Sequence, residues 1–274
     1  MSLKNYYFHY SFTGVPTQRP ILFLHGFMGN SHEFDDAILL LSKEFLCLTI
    51  DLPGHGKTKV LGSDEYYSIA KTACAVIELL DHLKITQCFL VGYSMGGRLA
   101  LYLTLYFPQR FARVVLESAS PGLITEIERL ERIKRDSQIA RKLSRSVGDD
   151  FADFLLSWYN QQIFNSIKEH PQFQKLIENR LQNNPVELAK SIQIMGTGCQ
   201  PSLWEKLKDN TNTLLLLVGE YDDKFIDINT KMANICNCQL KVVSHCGHNI
   251  HFENTLLFVE NLRDFFGNQN KHCE

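Results

Sequence analysis

The 274-residue sequence lacks a strong net charge, because 28 lysines and arginines nearly balance 30 aspartates and glutamates and leave a formal net charge of −2. No global field therefore favours nucleic acid or an anionic lipid surface, and recognition of an anion must be local. Long apolar runs are also missing, since the longest aliphatic run, Leu214 to Val218, is far shorter than the roughly 20 residues that span a membrane. The first residues, MSLKNYYFHYSF, lack the apolar core of a secretion signal, so we expect a cytoplasmic protein without a membrane span.

Cysteine is present but lacks the spacing of a disulfide framework or a zinc site. Several cysteines lie inside apolar runs such as FLCLTI and TACAVIELL, where cysteine ordinarily acts as a small buried hydrophobe. The pair Cys236-x-Cys238 has no second pair at the spacing of a zinc finger. We therefore expect no metal and no cofactor. The eight cysteines are Cys47, Cys74, Cys88, Cys199, Cys236, Cys238, Cys246 and Cys273.

Six short apolar runs alternate with helical segments along the chain. Each run has four to eight apolar-rich positions, which is typical of strands buried in a parallel sheet. The segments between them carry apolar residues at i, i+3 and i+4 spacing, as amphipathic helices do. The alternation predicts an α/β fold with a doubly wound, mostly parallel sheet covered by helices on both faces. The runs are RPILFLHG, EFLCLTIDLPG, QCFLVGYS, ARVVLESAS, NTLLLLVGEYD and CQLKVVSHCGH.

Residues 121–201 interrupt this alternation, because they contain no strand-like run. They contain charged, helix-favouring stretches instead, among them EIERLERIKRDSQIARKL and FADFLLSWYNQQIF. A compact domain rarely contains a structureless connection of this length. We therefore predict a core formed by residues 1–120 and 202–274, with residues 121–201 inserted as a helical lid between the fourth and fifth core strands.

The sequence GYSMG at residues 92–96 matches the G-x-S-x-G pattern of a reactive serine held on a sharp turn. It lies at the end of an apolar run and the start of a predicted helix, which is the context that this motif requires. The glycines permit the tight turn and the close packing that hold the serine Oγ above the sheet. Ser94 is therefore the candidate catalytic hydroxyl.

A reactive serine needs a base and an acid that orients it, and this arrangement supplies them in the chain order Ser, then Asp or Glu, then His. After the run TLLLLVG, the sequence GEYDDKF offers Asp222 as the first candidate and Asp223 as the second. After KVVS, the sequence HCGHNIH offers His245, His248 and His251. We choose His248, because it follows a glycine on a loop and precedes a predicted helix.

Two backbone N–H groups aimed at one point would form an oxyanion hole beside the serine. One is expected from Met95, directly after the serine at the positive end of a helix. The other is expected from Phe27, in the turn HGFMGN after the first long strand. His25, upstream of that turn, is predicted to be structural.

Arg98 falls in the first turn of the helix that follows Ser94, where the helix dipole disfavours a cation. An arginine at this position can simply face solvent. An anion bound near the serine nevertheless explains the position better than helix stability does. Arg98 is therefore a candidate ligand for an anionic substrate.

Taken together, these motifs resemble the 2-succinyl-6-hydroxy-2,4-cyclohexadiene-1-carboxylate synthases, lyases of menaquinone and phylloquinone biosynthesis that have the α/β-hydrolase fold. The resemblance extends from about residue 20 to the C-terminal helix and includes the predicted lid as well as the serine turn. It rests on HGFMG, DLPGHG, GYSMGGRLAL, ESASPGL, WYNQQIF, NRLQNNP, MGTGCQPSLW, GEYDDKF and GHNIHFEN.

The resemblance implies elimination of pyruvate from an enolpyruvyl cyclohexene substrate that carries three carboxylates. By motif position it implies a triad, three carboxylate-binding arginines and two further pocket residues. Read without the resemblance, Arg132 can pair with Glu128 one helical turn back, Arg180 is solvated, and Trp158 belongs to the core of the lid. The implied residues are Ser94, Asp222 and His248 for the triad, Arg98, Arg132 and Arg180 for the carboxylates, and Tyr93 and Trp158 for the pocket.

Two alternative functions remain open from the sequence. A serine hydrolase acting on esters or on carbon-carbon bonds of vinylogous diketones would use the same triad with serine as the nucleophile. A non-catalytic binding protein on this fold would be expected to have a broken triad or a blocked pocket. In every case we expect a small-molecule ligand rather than nucleic acid, and a monomer or weak homodimer.

Overall fold

A computed structural model describes residues 1–16, 19–236 and 238–267 of the chain. Seven strands form a central sheet in the order β10-β9-β8-β7-β4-β5-β3, and three short strands form a separate antiparallel sheet in the order β1-β2-β6. The strands are β1 (Ser2–Leu3), β2 (Tyr6–Tyr7), β3 (Tyr10–Thr13), β4 (Ile21–Leu24), β5 (Cys47–Ile50), β6 (Lys59–Val60), β7 (Cys88–Tyr93), β8 (Phe111–Glu117), β9 (Thr213–Gly219) and β10 (Gln239–Val243).

Six strands of the central sheet are parallel, and they are the six predicted apolar runs. The remaining strand, β3, runs antiparallel to β5 at one edge and was not predicted, because its sequence YSFT is short and largely exposed. At the other edge, β10 is mostly exposed rather than buried as expected. An edge strand has a neighbour on one side only, so the burial expected for an internal strand does not extend to it.

Helices cover both faces of the central sheet, as predicted. Leu22 and Leu24 of β4 pack with α2, α3 and α9, whereas Ile21 and Phe23 point to the opposite face and pack with α1 and α11. Apolar side chains on both faces explain why the runs are continuous rather than alternating. These helices are α1 (Asp35–Leu41), α2 (Ile69–His82), α3 (Met95–Tyr106), α9 (Asp223–Cys236) and α11 (Thr255–Gly267), with α10 (Ile250–Glu253) before the last.

Residues 121–201 contain five α-helices and no strand, between β8 and β9. Apolar residues of these helices, among them Leu143, Leu155 and Leu188, form a cluster separate from the two core clusters, and Met28 of the core joins it. The segment therefore has an apolar core of its own, as a helical insertion requires. Its helices are α4 (Glu126–Leu143), α5 (Asp149–Tyr159), α6 (Asn165–Lys168), α7 (Phe173–Leu181) and α8 (Pro185–Met195).

Short 3-10 helices connect several of these elements. One precedes α2, one precedes β8, one follows α5 and one precedes β9. Their bounds are Asp64–Tyr67, Pro108–Arg110, Gln162–Phe164 and Glu205–Asp209.

The cysteines follow the expectation in part. Cys47, Cys88 and Cys246 are buried, but Cys74 in TACAVIELL is exposed, because it lies on the solvent side of α2 beside the buried Ala73 and Ala75. Cys199 is exposed as well, and Cys236 and Cys238 form a disulfide that their spacing did not lead us to expect. Cys273 lies outside the described residues.

Candidate active site

Ser94 lies on a sharp turn between β7 and α3, with a backbone φ of 49° and ψ of −105°. A positive φ is strained for a residue with a side chain, and close backbone packing holds it here. The Ser94 amide donates to the Glu117 carbonyl at 2.9 Å. A Cβ at Gly96 would collide with the carbonyl oxygen of Leu24, so only glycine lets α3 approach β4 this closely.

The three predicted triad residues form a continuous hydrogen-bonded chain. Asp222 follows β9, and its Oδ2 accepts from Nδ1 of His248 at 2.6 Å. His248 follows β10, and its Nε2 lies 3.0 Å from the Ser94 hydroxyl oxygen. With Nδ1 bearing the proton, Nε2 is free to accept the serine proton. Asp222 and His248 are buried, whereas Ser94 is only half-buried and reaches a cavity.

The other candidate acid and bases do not contact Ser94. Asp223 is exposed at the start of α9. His245 is exposed, and its Nδ1 lies 3.1 Å from the Tyr221 hydroxyl. His251 is buried and donates from Nδ1 to Oε2 of Glu117 at 2.7 Å.

Glu117 holds both Ser94 and His251 by hydrogen bonds and does not itself line the cavity. Its backbone carbonyl fixes the Ser94 amide and its carboxylate fixes His251, whose Nε2 lies 3.4 Å from Oε1 of Glu33. Burial disfavours the charged imidazole of His251, but Glu117 and Glu33 outweigh burial and raise its pKa to about 9. A protonated histidine between two carboxylates therefore lies beneath the serine turn.

Phe27 and Met95, the predicted oxyanion-hole residues, both line the same cavity as Ser94. Met95 is the first residue of α3, where backbone N–H groups have no partner within the helix. Phe27 lies in the turn after β4, immediately before Met28, whose φ is 65°. His25 is structural as predicted, because its Nε2 accepts from the Leu52 amide at 2.9 Å and its Nδ1 lies 2.7 Å from the Gly26 carbonyl oxygen.

The cavity next to Ser94 has a volume of about 640 Å³. It lies between the carboxyl ends of the parallel strands and the helices of the insertion, with Trp158 and Phe164 among its aromatic lining residues. Four cationic side chains from three different helices also line it: Arg98, Arg132, Arg135 and Lys224. A cavity of this composition is suited to a small ligand that is both partly apolar and anionic.

Arg98 faces the cavity from the first turn of α3. Its Nη1 donates to the Met195 carbonyl and to Oε1 of Gln200, both at 2.9 Å. Burial, and then the neighbouring charge of Arg132, lower the pKa of Arg98 to about 10. The negative charge of a bound carboxylate would offset the energetic cost of burying the Arg98 guanidinium.

Arg132 also lines the cavity, but it does not pair with Glu128. Its Nε donates to Oδ1 of Asp136 at 2.7 Å, one helical turn further along α4. Glu128 is engaged instead in a capping box with Thr125 at the start of that helix. Burial, the largest effect, raises the pKa of Asp136, although Arg132 opposes it.

Arg180 is the one predicted carboxylate-binding arginine that does not line the cavity. Its Nη1 and Nη2 donate to the two carboxylate oxygens of Glu33 at 2.5 and 2.6 Å, and its Nε donates to the Tyr159 hydroxyl at 3.1 Å. The guanidinium and the Glu33 carboxylate are both buried. In this structure Arg180 therefore connects α7 of the insertion to the core instead of joining Arg98 and Arg132.

The two implied pocket residues are placed differently from each other. Trp158 lines the cavity, with its ring centroid 5.4 Å from that of Phe27. Tyr93 is buried beneath the cavity, and its ring contacts His248 and His251 at centroid distances of 5.5 and 4.8 Å. Tyr93 thus packs against His248 and is not among the residues that line the cavity.

The sequence reasoning missed Arg135 and Lys224. Arg135 follows Arg132 by three positions on α4, a spacing that places both on one side of a helix. Lys224 follows Asp222 by two positions in the first turn of α9. Both spacings can be read from the sequence, but nothing in the neighbouring residues distinguishes Arg135 and Lys224 from ordinary solvated cations.

Comparison with known proteins identifies the family. A model for the α/β hydrolase fold matches residues 19–255. The 2-succinyl-6-hydroxy-2,4-cyclohexadiene-1-carboxylate synthase of Escherichia coli O1:K1 / APEC is 32% identical over 242 residues, which cover 88% of this chain and 91% of that protein. A Bacillus subtilis (strain 168) protein provisionally named as the same synthase is 36% identical over 258 residues, or 92% of each chain. The chain belongs to this synthase family.

A solved structure supports the synthase family and the predicted fold. The structure of MenH from S. aureus matches with a TM-score of 0.88 at 34% identity and covers 98% of this chain and 100% of that chain. The α/β-hydrolase fold predicted from the sequence is therefore confirmed. Within the described part of the chain, no helix is both long and apolar enough to cross a membrane.

Proposed function

We propose that the protein eliminates pyruvate from 2-succinyl-5-enolpyruvyl-6-hydroxy-3-cyclohexene-1-carboxylate and so forms 2-succinyl-6-hydroxy-2,4-cyclohexadiene-1-carboxylate, the product after which the E. coli relative is named. This is a carbon-oxygen lyase reaction of menaquinone or phylloquinone biosynthesis. The observation that carries the proposal is the Asp222–His248–Ser94 chain, with contacts of 2.6 and 3.0 Å, which ends in a cavity lined by several cations. A substrate with three carboxylates matches that lining.

Ser94 acts as a base in this mechanism. His248 accepts the proton of the serine hydroxyl through Nε2, and Asp222 holds the imidazole in the required tautomer and stabilises its positive charge. The serine oxygen then removes the proton alpha to the succinyl ketone. The amides of Phe27 and Met95 donate to the enolate oxygen that forms.

The electron pair released from the carbon-hydrogen bond drives elimination. A double bond forms between the deprotonated ring carbon and its neighbour, the existing ring double bond shifts by one position, the carbon-oxygen bond to the enolpyruvyl group breaks, and the enolate of pyruvate leaves with the electrons of that bond. The ring gains a conjugated diene, which favours departure. Ser94 regains its hydroxyl proton when it removes the substrate proton, and the imidazolium of His248 gives its proton to the departing pyruvate enolate, so no covalent acyl enzyme is required.

Substrate binding is assigned to residues that line the cavity. Arg98 and Arg132 bind carboxylates, because a planar guanidinium can donate two parallel hydrogen bonds to one carboxylate. Trp158 contributes an apolar wall for the ring. Residues 121–201 act as a lid in this proposal, and their closure excludes water that would otherwise compete for the enolate.

A serine hydrolase is the second candidate, because the same 3.0 Å contact between His248 and Ser94 suits a serine nucleophile equally well. One assay separates the two. Release of pyruvate from the enolpyruvyl substrate, followed with lactate dehydrogenase and NADH, is expected of the lyase. A burst of p-nitrophenol from an ester without pyruvate release would establish the hydrolase instead.

A further inference from the structure

The cations that line the cavity differ in their protein partners. Arg98 donates to Met195 and Gln200, and Arg132 donates to Asp136. Lys224 has no hydrogen bond or ion pair to any described residue, and its ammonium lies 5.7 Å from the centroid of the Phe225 ring. Its three donors are therefore available to a ligand in the cavity.

The position of Lys224 in the fold parallels that of Arg98. Lys224 is the second residue of α9 and Arg98 is the fourth residue of α3, so each cation lies in a first turn, where the helix dipole opposes it. Helix stability explains neither residue. Both helices begin directly after a triad residue, since Ser94 precedes α3 and Asp222 precedes α9.

The two cations reach the cavity from helices that follow different strands of the central sheet. The strands that lead to them, β7 and β9, have only β8 between them. At about 4.8 Å per strand, the carboxyl ends of β7 and β9 lie roughly 10 Å apart. Lys224 and Arg98 therefore enter the cavity beside Ser94 from two different strand ends.

The electrostatic environment of Lys224 favours an anion. Burial, and then the positive charges of Arg132 and Arg135, lower the pKa of its ammonium, while Asp222 acts in the opposite direction. Asp222 is already hydrogen-bonded to His248 and offers Lys224 no direct ion pair among the described residues. A ligand carboxylate would supply the missing counter-charge.

We propose that Lys224 binds a substrate carboxylate that Arg98 does not reach, and that it takes the place in the cavity that motif position alone gives to Arg180. This inference rests on the proposed function and names the third cation of the tricarboxylate site. Arg180 is unsuited to that place because Glu33 and Tyr159 already accept hydrogen bonds from its guanidinium. Lys224 contributes a point charge rather than a planar fork, so charge matters here more than geometry.

Binding to a variant that cannot turn over tests the proposal without relying on activity. The enolpyruvyl substrate is titrated calorimetrically into Ser94→Ala, Ser94→Ala/Lys224→Ala and Ser94→Ala/Lys224→Arg. We expect Lys224→Ala to weaken binding about tenfold to hundredfold, as loss of a charge-assisted hydrogen bond does. Lys224→Arg should stay within about threefold, because the charge is kept.

Lys231 provides the matched control, because it is, like Lys224, an exposed lysine on α9, but it does not line the cavity. Ser94→Ala/Lys231→Ala should bind as tightly as Ser94→Ala alone. Equal affinity in the Lys224→Ala and Lys231→Ala backgrounds would overturn the assignment. So would an equal loss in Lys224→Arg and Lys224→Ala, because a retained charge would then have no effect.

Steady-state pyruvate release with Ser94 intact separates this inference from the function on which it rests. A rise in KM for Lys224→Ala, with kcat changed much less, supports the assignment. Normal pyruvate release with an unchanged KM would overturn the role of Lys224 and leave the proposed function standing. If the unaltered protein releases no pyruvate, the proposed function and this inference are both wrong.

Discussion

Ser94 is held in a strained backbone conformation that glycine neighbours and a single amide hydrogen bond to Glu117 maintain. Such strain costs of order 1–3 kcal/mol and persists only where the surrounding structure enforces it. Here it places Ser94 at the cavity, together with Met95, the first residue of α3. The reactivity proposed for Ser94 therefore depends on neighbours that never touch the substrate.

Arg98 should affect substrate binding more than the chemical step. Arg98→Ala is expected to raise KM for pyruvate release by about tenfold or more, because a charge-assisted contact to a carboxylate is lost. Arg98→Lys should restore only part of the affinity, since a lysine cannot donate in the bidentate geometry of a guanidinium. A KM for Arg98→Ala equal to that of the unaltered protein would show that no carboxylate binds at this position.

His251 should make stability depend on pH in the alkaline range. Folding raises its pKa to about 9, because Glu117 and Glu33 stabilise the imidazolium more than burial destabilises it. The contribution is complete below the unfolded value of about 6.5 and is lost as pH rises through about 9, with a size of order 3 kcal/mol. Urea unfolding of the unaltered protein and His251→Gln between pH 6 and 10 measures the difference.

The control for this pH dependence is His245→Gln, because the side chain of His245 is 82% exposed. The stability of that variant should follow the unaltered protein across the whole range. A stability difference between the unaltered protein and His251→Gln that stays constant with pH would contradict the charged state assigned to His251.

Individual residues show how far the sequence predicts which side chains come together. The pattern around Ser94 and the chain order of the triad pointed to Asp222 and His248, because strand ends in this fold deliver them to one edge of the sheet. Arg180 shows the limit, since its partner Glu33 lies 147 positions earlier in the chain. Local sequence offers no signal for a pairing of that separation.

At the scale of elements, the helix α3 and the strand β4 are in unusually close contact. Gly96 of α3 faces the carbonyl oxygens of Leu24 and His25, and a Cβ there would overlap both. The second glycine of the G-x-S-x-G pattern therefore permits the close approach of α3 to β4, in addition to the turn at Ser94. Apolar runs identified the internal strands of the central sheet because helices cover both of their faces.

Gly96→Ala should disrupt this contact. We expect a loss of more than about 3 kcal/mol in the free energy of unfolding, or failure to accumulate folded protein, because backbone atoms cannot move aside as a flexible side chain can. Gly267→Ala is the control, since a Cβ at that position meets no atom within 4 Å. Urea unfolding compares the two, and equal stabilities would contradict the described approach of α3 to β4.

Edge elements were harder to predict for a physical reason. The strand β3 and the short strands β1, β2 and β6 contain two to four residues and are largely exposed, so they carry no long apolar run. These strands are defined by hydrogen bonds to a neighbouring strand, and that pairing depends on the tertiary structure more than on the local sequence. By contrast, the 18-residue helix α4 begins with a capping box that the sequence contains in full.

At the scale of the whole molecule, a buried ion pair fastens the insertion to the core. Arg180 of α7 and Glu33, on the loop before α1, are buried together with bidentate geometry. Removal of one partner leaves an uncompensated charge, which typically costs 3–5 kcal/mol. This ion pair fixes α7 to the core while other parts of the insertion line the cavity.

The ion pair between Arg180 and Glu33 should stabilise the fold rather than bind the substrate. Arg180→Met is expected to reduce the free energy of unfolding by about 3–5 kcal/mol, and Arg180→Met/Glu33→Gln should recover part of the loss. At a temperature where Arg180→Met remains folded, KM for pyruvate release should change little. Unchanged stability with a strongly raised KM would instead show that Arg180 binds the substrate.

In the proposed reaction, Ser94 acts as the base for elimination of pyruvate beside a cation-lined cavity. The most direct measurement is the rate of pyruvate release by the unaltered protein and by Ser94→Ala under identical conditions. We predict a kcat lower by at least about 10³-fold for Ser94→Ala, with KM within a few-fold. Turnover by Ser94→Ala close to that of the unaltered protein would contradict the role given to this serine.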